Sequence, residues 1–283
     1  MTLNYQKIMA YRPPDIRASY SARDCIIYAL GIGLGMDPLD QGQLKFVYEK
    51  NLAAFPTMAT TLGWMGRLTN PEFGIDERMV VLADQRVVLH QPLTCEATLI
   101  SRPYVKEIID KGEGNAAIIQ TTRDLRTEDG TLVATVEGST LARKHGGFGG
   151  TVTQSPEPPT IPTRDPDAVC DLLTPPNLAQ IFRLTGDTNP LHVDPEHAKV
   201  AGFPRPILHG MASFGVAAHA VVRTFADYHP ERLASIEARF ARPVFPGETV
   251  RTEMWHEGPD VAFRCRTVER GEVAIDNGRA RLR

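Results

Sequence analysis

Apolar residues along the chain follow two patterns, one helical and one alternating. Between Gly210 and Phe225, the residues Met211, Phe214, Val216, Ala217, Ala218, Val221, Val222 and Phe225 fall on nearly every face of a helical cylinder. A helix that is apolar on most faces is a buried one. Downstream, residues 235–245, 249–256, 261–268 and 272–282 alternate apolar and polar positions between Gly, Pro and Asp turns, which predicts strands. Glu257-Gly258-Pro259-Asp260 reads as a hairpin connection between two of them. One buried helix followed by an antiparallel meander predicts an α+β fold, with a sheet wrapped around the helix.

The pattern occurs twice. Leu89-His-Gln-Pro-Leu-Thr-Cys-Glu-Ala-Thr98 aligns with Phe240-Ala-Arg-Pro-Val-Phe-Pro-Gly-Glu-Thr249 at a spacing of about 150 residues. Phe55-Pro56 through Gly63 aligns with Arg205-Pro206 through Ser213 at a similar offset. Tyr28-Ala-Leu30 with Asp37-Pro-Leu-Asp40 aligns with Phe182-Arg-Leu184 with Asn189-Pro-Leu-His192. Three matches in one order imply a duplication. Each half is expected to hold a short helix (22–30 and 177–184), an irregular loop, a longer helix and a run of strands. Between the halves, Pro156, Pro158, Pro159, Pro162 and Pro166 predict an extended linker, preceded by a flexible Gly146-Gly-Phe-Gly-Gly150. The expected division is a repeat at 1–150, a linker at 151–165 and a second repeat at 166–283.

Composition narrows the class. The 283 residues are 42% hydrophobic and 23% charged, which fits an ordinary globular chain and excludes wholesale disorder. A formal net charge of −3 argues against a nucleic-acid surface as the main purpose. The longest apolar run, residues 25–36, is interrupted by three glycines and falls short of the roughly 18–20 residues of a membrane span. No membrane association is expected. Cys25, Cys95, Cys170 and Cys265 are far apart, without metal-type spacing, and read as reduced structural thiols.

The chemistry concentrates in residues 182–198. Asp187, Asn189 and His192 fall within six residues, beside Gly186 and Pro190. A carboxylate and an imidazole converging on one water can hold it, take its proton and return one. The alternative is a capping loop. Asp194-Pro195 is read that way, as an N-cap followed by proline at the first helical position, with Gly202 closing the short helix. The repeat bears on the choice: Asp40 faces His192 and a glycine (Gly33 or Gly35) faces Asp187, so the first copy lacks the set, and a purely structural loop has less reason to differ between copies.

Pro206-Ile-Leu-His-Gly210 leads into the buried helix. The first N–H groups of a helix are unpaired and partly positive, and glycine lets a ligand oxygen approach them. That arrangement suits an oxyanion hole; a glycine that merely permits tight packing is the other reading. His209 reads as a core histidine rather than a ligand, and His197 and His219 as surface or packed residues. Neither a metal site nor a dinucleotide loop is expected.

Leu184-Thr-Gly-Asp-Thr-Asn-Pro-Leu-His192 together with Pro206-Ile-Leu-His-Gly210 resembles the signature of the (R)-specific enoyl-CoA hydratases, also called hydratase 2 or MaoC-like dehydratases. Tyr20-Ser-Ala-Arg-Asp24, Phe46-Val-Tyr-Glu49, Gly146-Gly-Phe-Gly-Gly150 and Ala238-Arg-Phe-Ala-Arg-Pro243 resemble the hydratase domain of peroxisomal multifunctional enzyme type 2. The resemblance implies a double hot-dog fold, two antiparallel sheets each wrapped around a long helix and joined side by side. It implies syn addition of water to a trans-2-enoyl-CoA, giving (R)-3-hydroxyacyl-CoA, with CoA as part of the substrate and no separate cofactor. Asp187 and His192 would hold and activate the water, Asn189 would position the loop, and the Gly210 N–H would bind the thioester oxygen. Lys111 matches a CoA-phosphate contact, Phe240 an acyl or pantetheine contact, and Glu49 a supporting glutamate. The family's His-Gly-Glu-Gln reads Leu82-Ala83-Asp84-Gln85 here, which alters the contact expected from Leu82 and Ala83.

Similar proteins pair as homodimers. Arg281-Leu282-Arg283 is no peroxisomal signal, and the expected setting is a stand-alone cytoplasmic enzyme. The alternatives are a hot-dog acyl-CoA thioesterase and a non-catalytic acyl-CoA-binding subunit. Intact Asp187, Asn189 and His192 argue against the latter.

Overall fold

The computed structural model describes residues 2–68, 70–150 and 160–283. In chain order the first part holds α1 (Tyr5–Ala10), β1 (Ile16–Tyr20), α2 (Ala22–Gly31), α3 (Gln41–Val47), β2 (Val80–Leu89), β3 (Ala97–Ser101), β4 (Tyr104–Asp110), β5 (Ala117–Arg126) and β6 (Leu132–Ala142). The second holds β7 (Ala168–Leu173), α4 (Leu178–Phe182), α5 (Pro195–Val200), α6 (Gly210–Phe225), β8 (Leu233–Phe240), β9 (Thr249–Glu257), β10 (Asp260–Thr267) and β11 (Val273–Leu282). Most of the proline-rich segment, residues 151–159, lies outside the described residues.

All the strands join one antiparallel sheet in the order β1-β3-β5-β6-β2-β8-β11-β10-β9-β7, with β4 beside β5. The seam between the two copies is β2 against β8, where Val87 faces Ile236 and Arg86 faces Glu237. Arg86 Nε reaches Glu237 at 3.2 Å across it. The copies therefore share a sheet rather than merely touching.

The helix over 210–225 has the predicted bounds, and every residue from Met211 to Val222 is buried. It packs against β7, β8, β9 and β2. Gly215 allows α2 to cross it closely: a Cβ there would lie 2.4 Å from Ile32 Cγ2. A single core runs through both copies and includes Tyr28, Phe46, Phe55, Phe182, Phe214, Val87 and Ile236. Burying each such side chain contributes about 1.5–3 kcal/mol. Tyr28 and Phe182, which the repeat aligns, meet at ring centroids 5.9 Å apart.

The first copy departs from the expected pattern. Where α6 has its counterpart, the chain makes only a short 3-10 turn, Pro56–Thr60. Two local features stop a longer helix. Thr57, Thr60 and Thr61 bring β-branched side chains whose hydroxyls bond nearby groups instead of extending a ladder. Gly63 then turns at φ +57° against Ser101. The first half of the sheet thus lacks a long covering helix, and the space is left to a cleft.

The Gly146–Gly150 segment is not loose punctuation. It wraps the buried Asp110 carboxylate, which accepts from the N–H of Gly147 (2.7 Å), Gly149 (3.1 Å) and Gly150 (3.3 Å), and from Gly112 at 2.9 Å. The backbone packs too tightly for a side chain, since a Cβ on Gly146 would sit 2.4 Å from the Gly112 carbonyl.

Candidate active site

The signature loop is pinned at both ends before any chemistry is considered. Asn189 caps a short turn, its Oδ1 accepting from Leu191 N at 3.1 Å, and Asn189 N in turn donates to Asp187 Oδ1 at 3.2 Å. Leu191 is buried in a small apolar cluster with Ala198, Ile207 and Phe245. Asp194 caps α5 with Pro195 at its first position, as expected, and Gly202 closes it at φ +89°.

The Pro206–Gly210 segment is held in the same way. Leu208 N donates to the Val244 carbonyl at 2.7 Å. The Ile207 carbonyl accepts from His192 Nδ1 at 2.9 Å. A carbonyl can only accept, so Nδ1 carries the proton and Nε2 keeps its lone pair. His192 is 7% exposed, and burial lowers its pKa, against the opposing pull of Asp187. The ring is neutral at neutral pH.

His209 stacks on His192 and donates from Nε2 to the Asp187 backbone carbonyl at 3.1 Å. Its Nδ1 is buried without a partner, and burial pushes its pKa down to about 2. Nitrogen atoms of both rings and an Asp187 carboxylate oxygen all lie within 4.8 Å of one another. That is a span one water can bridge by two hydrogen bonds. His209 is a core histidine, as its position before a buried helix suggests. Its two contacts with the Asp187–His192 loop, however, were not legible from spacing.

Gly210 opens α6, and its N-cap, His209, makes no side-chain cap. The first-turn N–H groups therefore have no side-chain partner from that residue. A Cβ on Gly210 would lie 3.1 Å from Leu82 Cδ2 and 3.7 Å from Phe240 Cε1, so a side chain here would press on Leu82 and narrow this end of the helix.

These residues line one cleft of about 460 Å³, built from both copies. Asp187, Asn189, His192, Gly210 and Phe240 come from the second copy and Leu82 from the first. Leu82 reaches it through a β-bulge between Leu82 and Asp84, which re-aims the strand. Ala83 is the extra residue of that bulge and does not line the cleft. Two other expected contacts are also not in the wall. Glu49 is exposed in the turn after α3, and Lys111 sits half-buried at the β4–β5 hairpin. Positive charge in the wall comes instead from Arg67, Arg143 and Arg242, together with Arg123 on β5. An arginine among the alternating inward positions Ile119, Thr121 and Leu125 was the available signal for the last of these.

Among the described residues the first copy forms no second grouping of this kind. Asp40, aligned with His192, caps α3 through Gly42 N and Gln43 N and accepts from Tyr228 Oη at 2.9 Å. The cysteines are all free, and burial pushes Cys25 and Cys265 up to about 12, which keeps them unreactive.

Comparison with known proteins agrees with this architecture. Residues 18–144 match the MFE-2 hydratase 2 N-terminal domain, and residues 147–278 match the MaoC like domain. The peroxisomal enoyl-CoA hydratase 2 of Arabidopsis thaliana is 37% identical over 96% of this chain and 93% of its own. The crystal structure of a MaoC-like dehydratase from Phytophthora capsici superposes with a TM-score of 0.85 at 33% identity, covering 99% of this chain and 98% of that one. A Mycobacterium tuberculosis protein described as a double hot-dog shares the fold alone, at 12% identity and a TM-score of 0.56 over 99% of this chain and 98% of its own. Matched in both halves and along nearly its full length, the chain belongs to the MaoC-like, hydratase 2 family of double hot-dog proteins.

Proposed function

We propose that this protein is a hydro-lyase that adds water reversibly, and with syn geometry, to a trans-2-enoyl-CoA, giving the (R)-3-hydroxyacyl-CoA. The observation that carries the reading is the meeting of Asp187 and His192 beside the open N-terminus of α6. The thioester oxygen accepts from the Gly210 N–H, where the helix end favours the developing negative charge. One water donates to the Asp187 carboxylate and to the lone pair on His192 Nε2. Its oxygen forms the bond to Cβ as the Cα–Cβ π bond breaks. The proton it gives up is returned to Cα from the same face, so no separate acid is needed. Asn189 holds the loop in register, as its bonds to Asp187 and Leu191 suggest.

CoA enters as part of the substrate, and the reaction as written uses no other cofactor. Arg67, Arg143 and Arg242 are natural counterions for its phosphates. We read the chain as two hot-dog repeats, 1–150 and 166–283, with the chemistry in the second. Among the described residues no helix is long and apolar enough to cross a membrane. A homodimer in the cytoplasm completes the proposal. The Arabidopsis relative is named peroxisomal, so subcellular fractionation and sedimentation test these two points.

The function test is hydration of crotonyl-CoA, followed by loss of enoyl absorbance. Asp187→Ala and His192→Ala are each expected to cut turnover by roughly 10²–10⁴ or more while the protein stays folded. Wild-type-like turnover in either variant would sink the mechanism. An (S)-3-hydroxy product would overturn the stereochemistry, and release of free thiol would indicate a thioesterase.

A further inference from the structure

β5 carries a charged residue on the face that looks into the molecule. Ile119, Thr121 and Arg123 are alternate residues of one strand, and all three line the cleft. Arg123 is only 6% exposed. Its Nε donates to the Leu62 carbonyl at 3.1 Å, and its Nη2 donates to the carbonyls of Thr60 at 2.6 Å and Ala59 at 3.3 Å. A guanidinium has five N–H donors, and this clamp uses three of them. Nη1 makes no hydrogen bond to the described residues and is not one of their fully buried unpaired atoms, so its two donors remain open on the cleft side, and no carboxylate pairs with the side chain there. Burial alone draws the pKa down to about 10, as expected for a cation without a counterion.

The surroundings are polar as well. Gln85 on β2 and Thr121 on β5 both register with Gly138 on β6, between them. Gln85 Nε2 is taken by the Glu137 carbonyl at 2.8 Å, which leaves Oε1 as an acceptor. Gly138 adds no side chain, and a Cβ there would lie 3.2 Å from that Oε1. The wall near the helix start is instead apolar, formed by Leu82, Phe240 and Met211. A cleft built only for a hydrocarbon chain has no use for a guanidinium in its wall that lacks a counterion, because a partly desolvated charge costs stability unless it is paired.

We propose that Arg123 forms a subsite for the far end of the acyl group, and that the substrate class is an enoyl-CoA whose chain ends in a carboxylate. This rests on the hydratase reading. The terminal carboxylate accepts from Nη1 and balances the guanidinium charge, while a methyl-ended chain leaves those donors unpaired. The missing helix of the first copy provides the room. Gln85 and Thr121 supply neutral polar contacts beside the charge.

The test compares two trans-2-enoyl-CoAs of equal chain length, one methyl-ended and one carboxylate-ended. The wild type is expected to favour the carboxylate-ended substrate by roughly tenfold or more in kcat/KM. Arg123→Met is expected to abolish that preference, and Arg123→Lys to retain part of it. A wild-type ratio at or below one overturns the proposal without any variant, which matters because Arg123 also clamps the 59–62 turn and its replacement can destabilise the fold. Calorimetric binding of the corresponding saturated acyl-CoAs separates the two readings. If no enoyl-CoA is hydrated, the hydratase reading fails, yet tighter binding of the carboxylate-ended ligand still supports the subsite. Equal binding of the two ligands overturns the subsite even if hydration proceeds.

Discussion

His192 and His209 lie face to face, with ring centroids 3.7 Å apart and planes 30° from parallel. Each ring donates one N–H to a backbone carbonyl of the other's segment, His192 to Ile207 and His209 to Asp187. The stack thus ties the loop bearing the carboxylate to the segment that opens α6. Replacing His209 by Phe keeps a flat ring but removes the donor to Asp187. The expected result is a fall in kcat of about tenfold with little change in KM, since the loss of one hydrogen bond of ~1 kcal/mol misplaces the carboxylate rather than the substrate. Steady-state kinetics on crotonyl-CoA checks it, and an unchanged kcat would show the stack to be packing only.

The buried histidines make stability depend on pH. Burial holds His209 at about 2, His219 at about 3, and His192 below the ordinary value. The folded state therefore binds fewer protons than the unfolded chain once pH drops below about 6.5. Stability is complete above that value and is lost as pH falls toward the folded values. His209 and His219, whose folded values lie far below 5.5, each cost about 1.4 kcal/mol at pH 5.5, and His192 adds to the loss in the same direction. Urea unfolding at pH 7.5 and 5.5 is expected to show a lower midpoint at the acid value. Coincident curves would be incompatible with neutral buried imidazoles.

At Gly210 the constraint is steric and can be reversed. Gly210→Ala retains the N–H but brings a methyl group to 3.1 Å from Leu82 Cδ2. A loss of kcat/KM of roughly tenfold to a hundredfold is expected from displacement of the thioester oxygen. Adding Leu82→Ala removes the clashing atom and is expected to restore part of the activity. Additive losses in the double variant would argue that the glycine serves another purpose.

Asp110 supports a glycine loop rather than a reaction. Asp110→Ala strands four backbone N–H groups, those of Gly112, Gly147, Gly149 and Gly150. A stability loss on the order of 3 kcal/mol is expected, with kcat for crotonyl-CoA nearly unchanged at a temperature where the variant is folded. Thermal unfolding and a rate at low temperature measure the two effects separately.

Much of this was legible in the chain. The bounds of α6 followed from apolar residues on every face, and the β9–β10 hairpin from Glu257-Gly258-Pro259-Asp260. The convergence of Asp187 with His192 was one of two readings of a dense polar loop that only one copy of the repeat carries, the other being a capping loop. Three features were not legible, and each depends on contacts distant in sequence. The missing helix at Pro56–Thr60 reflects local hydroxyl bonding and a turn at Gly63, which a repeat alignment does not register. The stack of His209 on His192 depends on where two loops meet. The exclusion of Lys111 and Glu49 from the cleft depends on the placement of a hairpin and a turn, which motif matching does not supply.

The continuous sheet across β2 and β8 has a consequence for how the molecule can change. The second copy holds the central helix, most of the core around it and the polar loop, so nearly any alteration there touches both folding and turnover. The first copy, freed from covering a helix of its own, presents Ile119, Thr121, Arg123 and Gly138 to the cleft from rigid strands. Replacements at Ile119 or Thr121 on β5 would therefore alter the wall of the cleft without touching Asp187, Asn189 or His192. Where the second copy has a long helix the first has a short turn, and the strands so uncovered give the cleft a wall that lies apart from the Asp187–His192 loop.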